Sequence, residues 1–170
     1  MKKIGKLPKV ANDEKLENIT NTKFPRKAYI FKAISVKNPT ENNKVAVFYN
    51  KTDRIEFYYN DKLTKIVSQE NFNPKMQVTK LEKGFVVEDS DKTKYAYLSV
   101  IYAKNYIYAL YSGSNETSSN SILVFDWNGN FIKELFLNRK VCKIFMDSKN
   151  NILYCYEDKE KGIFSANLNF

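Results

Sequence analysis

Ser121-Ile122-Leu123-Val124-Phe125-Asp126-Trp127-Asn128-Gly129-Asn130 is the stretch that decides the fold of this chain. Its apolar run, rich in β-branched and aromatic residues, fits a pleated, buried surface. Ile122 to Phe125 are apolar on both sides of the strand, so both faces are expected to be covered. Asn128-Gly129 tolerates positive φ at both central positions, which predicts a type I′ hairpin turn. Phe131 to Phe136 then continue as a second strand.

Working outward, the same order of segments occurs three times. The first block runs through Ala28–Val36, Lys44–Asn50, Arg54–Asn60 and Lys62–Val67. The second runs through Ala96–Tyr102, Asn105–Ser112, Ser121–Trp127 and Asn130–Phe136. The third runs through Val141–Asp147, Asn151–Asp158 and Gly162–Leu168. Asn60-Asp61 occupies the joint that matches Asn128-Gly129, and Asp147 to Asn150 join the first two strands of the third block. Ile122 and Ile163, both third-strand positions, stand 41 residues apart. Four antiparallel strands in about 40–50 residues is the signature of a propeller blade. Ile55 and Ile122 are 67 apart, which marks Ser68 to Lys94 as an insertion; Gly113 to Asn120 is a smaller one.

The expected fold class is all-β: a partial β-propeller of about three four-stranded antiparallel blades, the last incomplete. The expected division is 1–23 as a tail or closing strand and 24–170 as the propeller-like domain, with blades at about 28–67, 95–136 and 140–170. A helical turn at 12–19 is the most that the tail suggests. A β-sandwich also has many short strands, but it does not require three blocks of one strand order. Three blades do not close a ring. Either the N-terminal segment completes the last blade, or two chains pair into a six-bladed ring, or the chain is a fragment with an open, association-prone blade face.

Composition narrows the chemistry. The chain has 170 residues, is 43% hydrophobic and carries no histidine. Without histidine, Ser-His-Asp and Cys-His catalysis are excluded, and the commonest metal ligand is missing. No metal site or cofactor is expected. Cys142 and Cys155 are too few for a disulfide scaffold or structural zinc site. If the third-block hairpin turns at Ser148-Lys149, the two cysteines face each other. A cross-strand disulfide is then possible, although two buried thiols beside Ile144 and Leu153 are the preferred reading. The net charge is +9, but the lysines are scattered through turns, so nucleic acid is not the expected partner. Residues 1–20 start positively and lack the apolar run of a signal peptide, and no stretch approaches a membrane span.

The residues also resemble a known family. Val45 to Tyr49 lead to Thr52-Asp53-Arg54-Ile55-Glu56; Tyr106 to Gly113 and Val124 to Asn130 follow. This order is similar to the C-terminal half of the TolB-like six-bladed propellers of Bacteroidetes, over about residues 24–170. Members of that family are usually about twice as long, with an exported or lipid-anchored start. The resemblance implies a propeller fold and a binding or scaffolding role at the cell envelope or periplasm. It carries over no catalytic residue.

Four residues are candidates for ligand contact. Arg54, at a turn before a strand, is a candidate reader of an anion, set against Asp53-Arg54 simply stabilising the turn. Asp126 and Trp127 together suit a sugar or peptide, set against Trp127 packing between blades while Asp126 caps the turn. Tyr111 belongs to a tyrosine-rich set with Tyr58, Tyr59, Tyr95, Tyr97, Tyr102, Tyr106 and Tyr108, most of which core packing explains. Asp147, Glu157, Asp158 and Glu160 lack calcium-loop spacing, and no phosphate loop, dinucleotide fingerprint or nucleophile elbow occurs. The leading expectation is a non-catalytic interaction domain with a protein partner, or self-association through open blade faces. The rivals are a carboxylate-dependent hydrolase or lyase in a propeller channel, and a truncated fragment without an independent role.

Overall fold

The computed structural model describes residues 29, 31–70, 72, 74, 76–82, 84–147, 149 and 151–167. The expectations for 1–23 and for 12–19 lie outside these residues. Among the described residues, the thirteen elements are all strands. Blade 1 is the antiparallel meander β1 (Ala33–Lys37), β2 (Lys44–Tyr49), β3 (Ile55–Tyr59) and β4 (Lys62–Val67). Blade 2 is β7 (Tyr95–Tyr102), β8 (Tyr106–Ser114), β9 (Ser119–Asp126) and β10 (Phe131–Val141). Blade 3 has three described strands, β11 (Lys143–Asp147), β12 (Ile152–Glu157) and β13 (Gly162–Asn167). The insertion between blades 1 and 2 folds as a separate hairpin, β5 (Met76–Leu81) with β6 (Gly84–Asp89). The first strand begins later than its apolar run suggests: Tyr29 is helical and pairing starts at Ala33. The second small insertion shrinks, because β8 reaches Ser114 and β9 starts at Ser119.

The alternation of side chains explains the stacking. In β8 and β9, Ile107, Ala109, Tyr111, Leu123 and Phe125 pack against Ala46, Phe48, Ile55 and Phe57 of blade 1. The intervening Tyr108, Leu110, Ile122 and Val124 pack against Ile144, Leu153 and Cys155 of blade 3. Blade 2 therefore buries both faces, as a period of two requires when sheets lie on either side. Phe48 anchors the first seam, meeting Tyr97 edge-on at 5.1 Å, Phe125 at 6.1 Å and Phe57 at 6.4 Å between ring centroids. Such edge-to-face pairs add about 1 kcal/mol each to the burial they bring.

Turn geometry divides differently from the expectation. Asn60 and Asp61 both have positive φ, 49° and 62°, so the two-residue primed turn sits between β3 and β4. At the Asn-Gly joint Gly129 alone is left-handed, with φ 75°. Gly129 N–H donates to the Asp126 carbonyl at 3.1 Å, and Asp126 N–H donates to Asn130 at 3.0 Å. This is a three-residue loop in which a glycine bulge follows an ordinary turn, not a type I′ turn. The third-block hairpin also turns one residue later than expected. Ile144 stands opposite Cys155 and Lys143 opposite Tyr156, so Cys142 does not face Cys155, and both thiols are free. Asn151, with φ 54°, takes the left-handed position there.

A Cβ at residue 129 would lie 2.7 Å from the ring of Phe57, which is fully buried in the first seam. Gly129→Ala combines that clash with a left-handed backbone, and it is expected to cost about 2 kcal/mol in urea unfolding monitored by far-UV dichroism. A variant as stable as the wild type would contradict this account of the turn.

Candidate functional site

Successive connections in an antiparallel meander alternate between its ends. The β2–β3 and β8–β9 loops, the β12–β13 turn and the inter-blade connections therefore share one end of the stack. The β3–β4 and β9–β10 turns share the other.

The first end is built around residues 50–54. Lys51, Thr52 and Asp53 are buried although all are polar, as is Glu56 just inside β3. Buried polar groups persist only when hydrogen-bonded, and here each contact ties the loop to another element. Asn50 accepts from Ala96 N–H at 2.7 Å, and its side chain donates to the Tyr97 carbonyl at 3.0 Å, which joins the loop to blade 2. The Tyr97 hydroxyl returns a bond to the Asp53 carbonyl at 3.0 Å. Thr52 donates to the Phe72 carbonyl at 3.0 Å, and the Asp53 carboxylate accepts from Ser68 at 2.7 Å and from Glu70 N–H, which joins it to the insertion. Lys51 forms an ion pair with Asp89 at the end of β6, and its ammonium lies 3.9 Å from the centre of the Tyr29 ring. Tyr95 donates to the same carboxylate at 2.6 Å.

Arg54 is part of this construction. Its Nε donates to Glu56 Oε1 at 2.7 Å, while Tyr58 and Tyr49 donate to Oε2 at 2.6 and 3.2 Å. The guanidinium neutralises a buried carboxylate through Nε. Burial, followed by the bond to Glu56, pushes Tyr58 up to about 12, and burial pushes Tyr49 higher still. Burial works to raise Asp89, but hydrogen bonds from Lys51 and Tyr95 and the Lys51 charge prevail and hold it below its ordinary 3.8.

Asp126 caps its turn. Oδ1 accepts from the N–H groups of Asn128 at 2.9 Å and Asn130 at 2.8 Å, and Oδ2 accepts from the Asn130 amide at 2.9 Å. Tyr111 lies in the first seam, its ring 5.5 Å from Tyr97 and its hydroxyl buried without a partner among the described residues. Trp127 packs in the same seam, edge-on to Tyr102 at 6.0 Å. The four candidates do not converge. Asn50, Lys51, Thr52 and Asp53 make the bonds that join the loop to blade 2 and the insertion, and none of them was a ligand candidate. A polar run between two apolar strands was their only signal, and it reads equally as an exposed turn.

Among the described residues, clefts open at both ends of the stack. At the first end, about 420 Å³ lies between the β8–β9 loop and the β12–β13 turn, where Lys140 pairs with Glu116 and Arg139 with Glu157 at 3.3 Å. At the other end, about 350 Å³ lies between Tyr58, Tyr59 and Lys65 of blade 1 and Trp127 and Asn128 of blade 2. Among the described residues no cluster of histidine, cysteine or carboxylate side chains has metal-binding geometry, and no helix is long and apolar enough to cross a membrane.

Sheets of one strand order, each covering the next, define a partial β-propeller. The family model for TolB-like 6-blade propeller-like proteins matches residues 1–149, and the chain belongs to that family. A search of curated proteins finds no match. Among solved structures, the chain is similar to the β-propeller domain of Cps50 (Swd1) from Myceliophteria thermophila, at 9% identity and a TM-score of 0.36. That match covers 81% of this chain and 55% of the other, so this chain spans about half the length of its structural relative.

Two outcomes follow from the buried loop. Replacing Lys51 with Met leaves the Asp89 carboxylate without its cation and is expected to cost about 3 kcal/mol in urea unfolding at pH 7. Because the folded-state pKa of Asp89 is depressed, its contribution is present above 3.8 and is lost as pH falls through the folded value, and Lys51→Met should flatten that acid limb. A variant with unchanged stability and acid limb would refute the role given to the pair. Tyr58, Tyr95 and Tyr108 are each pushed up to about 12, so ultraviolet titration should show a phenolate phase well above pH 10 that merges on unfolding in urea. Raised tyrosines favour the fold below pH 10 and withdraw that support as pH climbs through their folded values. A single phase near 10 in the native protein would contradict the burial.

Proposed function

We propose that this chain is a binding or scaffolding module of the cell envelope without chemistry of its own, and that it acts through a sheet face of blade 3. The observation that carries the reading is the face turned away from blade 2. On it Phe145 pairs directly with Tyr154, and Ile163 with Tyr156; Phe145, Tyr154 and Ile163 are 51%, 37% and 71% exposed. Isolated apolar residues are ordinary on a surface, but a cross-strand row on one sheet face is how every other blade seam here begins.

The occupant proposed is a second copy of this chain. The family is described as six-bladed, and the described residues supply three propeller sheets, so two copies reach that number. The non-catalytic part of the reading is supported by the buried carboxylates. Glu56, Asp53 and Asp89 are each engaged by donors within the fold, and in the first-end cleft the carboxylates of Glu116 and Glu157 are paired with Lys140 and Arg139.

Sedimentation equilibrium at about 100 µM should give a mass near twice 19.9 kDa. Phe145→Lys with Ile163→Lys should return the monomer while preserving the far-UV spectrum. A monodisperse wild-type monomer, or a dimer indifferent to the double substitution, would overturn the reading.

A further inference from the structure

The cleft between the β3–β4 and β9–β10 turns is built from donors. Among the described residues its walls hold two ammonium groups, Lys44 and Lys65, and no carboxylate. Both are fixed on the same turn: Lys65 Nζ donates to Asn130 Oδ1 at 2.8 Å, and Lys44 Nζ donates to Asn128 Oδ1 at 3.4 Å. Lys44 also pairs with Glu41 at 3.0 Å, whereas among the described residues Lys65 meets only the neutral amide. The Tyr58 and Thr64 hydroxyls are spent on Glu56 and on the Phe57 carbonyl. The indole N–H of Trp127 is buried and meets no acceptor among the described residues, although the residue lines the cleft. A native donor left unsatisfied in a buried position costs about 1–3 kcal/mol and calls for an acceptor. Aromatic rings of Trp127, Tyr58 and Tyr59 supply apolar wall beside these donors.

We infer that this cleft binds a carboxylate carried on a small ring or chain with an apolar face. Lys44 is neutralised by Glu41 and the Asp126 carboxylate stands behind the same turn, so Lys65 is the wall's main attraction for an anion, and one ammonium matches a monoanion better than a doubly charged phosphate. The absence of Arg from the walls points the same way, since the fork that grips phosphate in two places is missing. A sugar acid and an acidic amino-acid side chain share the required chemistry. The site lies on the seam between blades 1 and 2, so it does not depend on the association proposed for blade 3.

Trp127 is the single tryptophan of the chain, so its fluorescence and its one indole N–H resonance report on this cleft alone. The full chain would be titrated at constant ionic strength with glucuronate and N-acetylglutamate, and with glucose and N-acetylglutamine as their neutral counterparts. At least one acid should shift the indole resonance saturably, with its neutral counterpart about tenfold weaker or worse. Lys65→Gln should weaken the same acid about tenfold while leaving the unfolding midpoint in place. Preference for glucuronate identifies a sugar acid, and preference for N-acetylglutamate identifies a peptide carboxylate. The proposal fails if no acid gives a saturable shift up to about 50 mM, or if the neutral compounds bind equally. It fails too if Lys65→Gln retains full affinity, or if glycerol phosphate binds more tightly than either acid.

Discussion

The two central strands of blade 2 have no face left for water. The residues that alternate along β8 and β9 divide between two seams, Ile107, Leu123 and Phe125 to one side and Tyr108, Ile122 and Val124 to the other. A sheet of this kind cannot be stable alone, because either of its faces would expose a row of large apolar side chains. Its neighbours are therefore a condition of its folding. Stability in such a stack is shared between adjacent modules, so a loss at one seam is felt by both of the sheets that form it.

The second constraint is polar. Residues 50–54 carry a buried lysine and a buried aspartate into the place where blade 1, blade 2 and the insertion meet. Each charge is matched there by a specific partner from a different element: Asp89 for Lys51, and Ser68 with Glu70 for Asp53. Apolar contacts would tolerate a sliding of the insertion over the seam. Paired charges and directed hydrogen bonds do not, because a small displacement leaves a desolvated group unmatched. The loop therefore contributes more to fixing the relative position of these three parts than to the total burial.

The two ends of the stack differ as a consequence. The end that carries residues 50–54 and the insertion uses its carboxylates internally, and its cleft is lined by groups that already answer one another, such as Glu116 with Lys140. The opposite end is formed by tight turns whose side chains cap backbone, and those turns leave ammonium and indole donors over. Binding capacity collects where the fold has not consumed the polar groups.

Much of this was legible in the chain. The strand blocks, the insertion and the sheet that is apolar on both sides follow from local periodicity, which depends only on neighbouring residues. The capping role of Asp126 and the packing of Trp127 were also readable as alternatives to ligand contact. Turn details were not: two Asn-containing joints that look interchangeable adopt different geometries, because Asn60-Asp61 closes its hairpin with two residues whereas Trp127-Asn128-Gly129 closes the other with three. The cysteine pairing failed for a related reason, since a turn shifted by one residue changes every partner in its hairpin by two.

The sequence by itself determined that this protein is a succession of like sheets, because the alternation of apolar side chains is a local property of an extended backbone. Only the tertiary structure decided which charges are buried and which are free to meet a ligand. Lys51 and Lys65 are indistinguishable as letters. One is enclosed because the insertion folds back over it, and the other stays at the surface because only a turn approaches it.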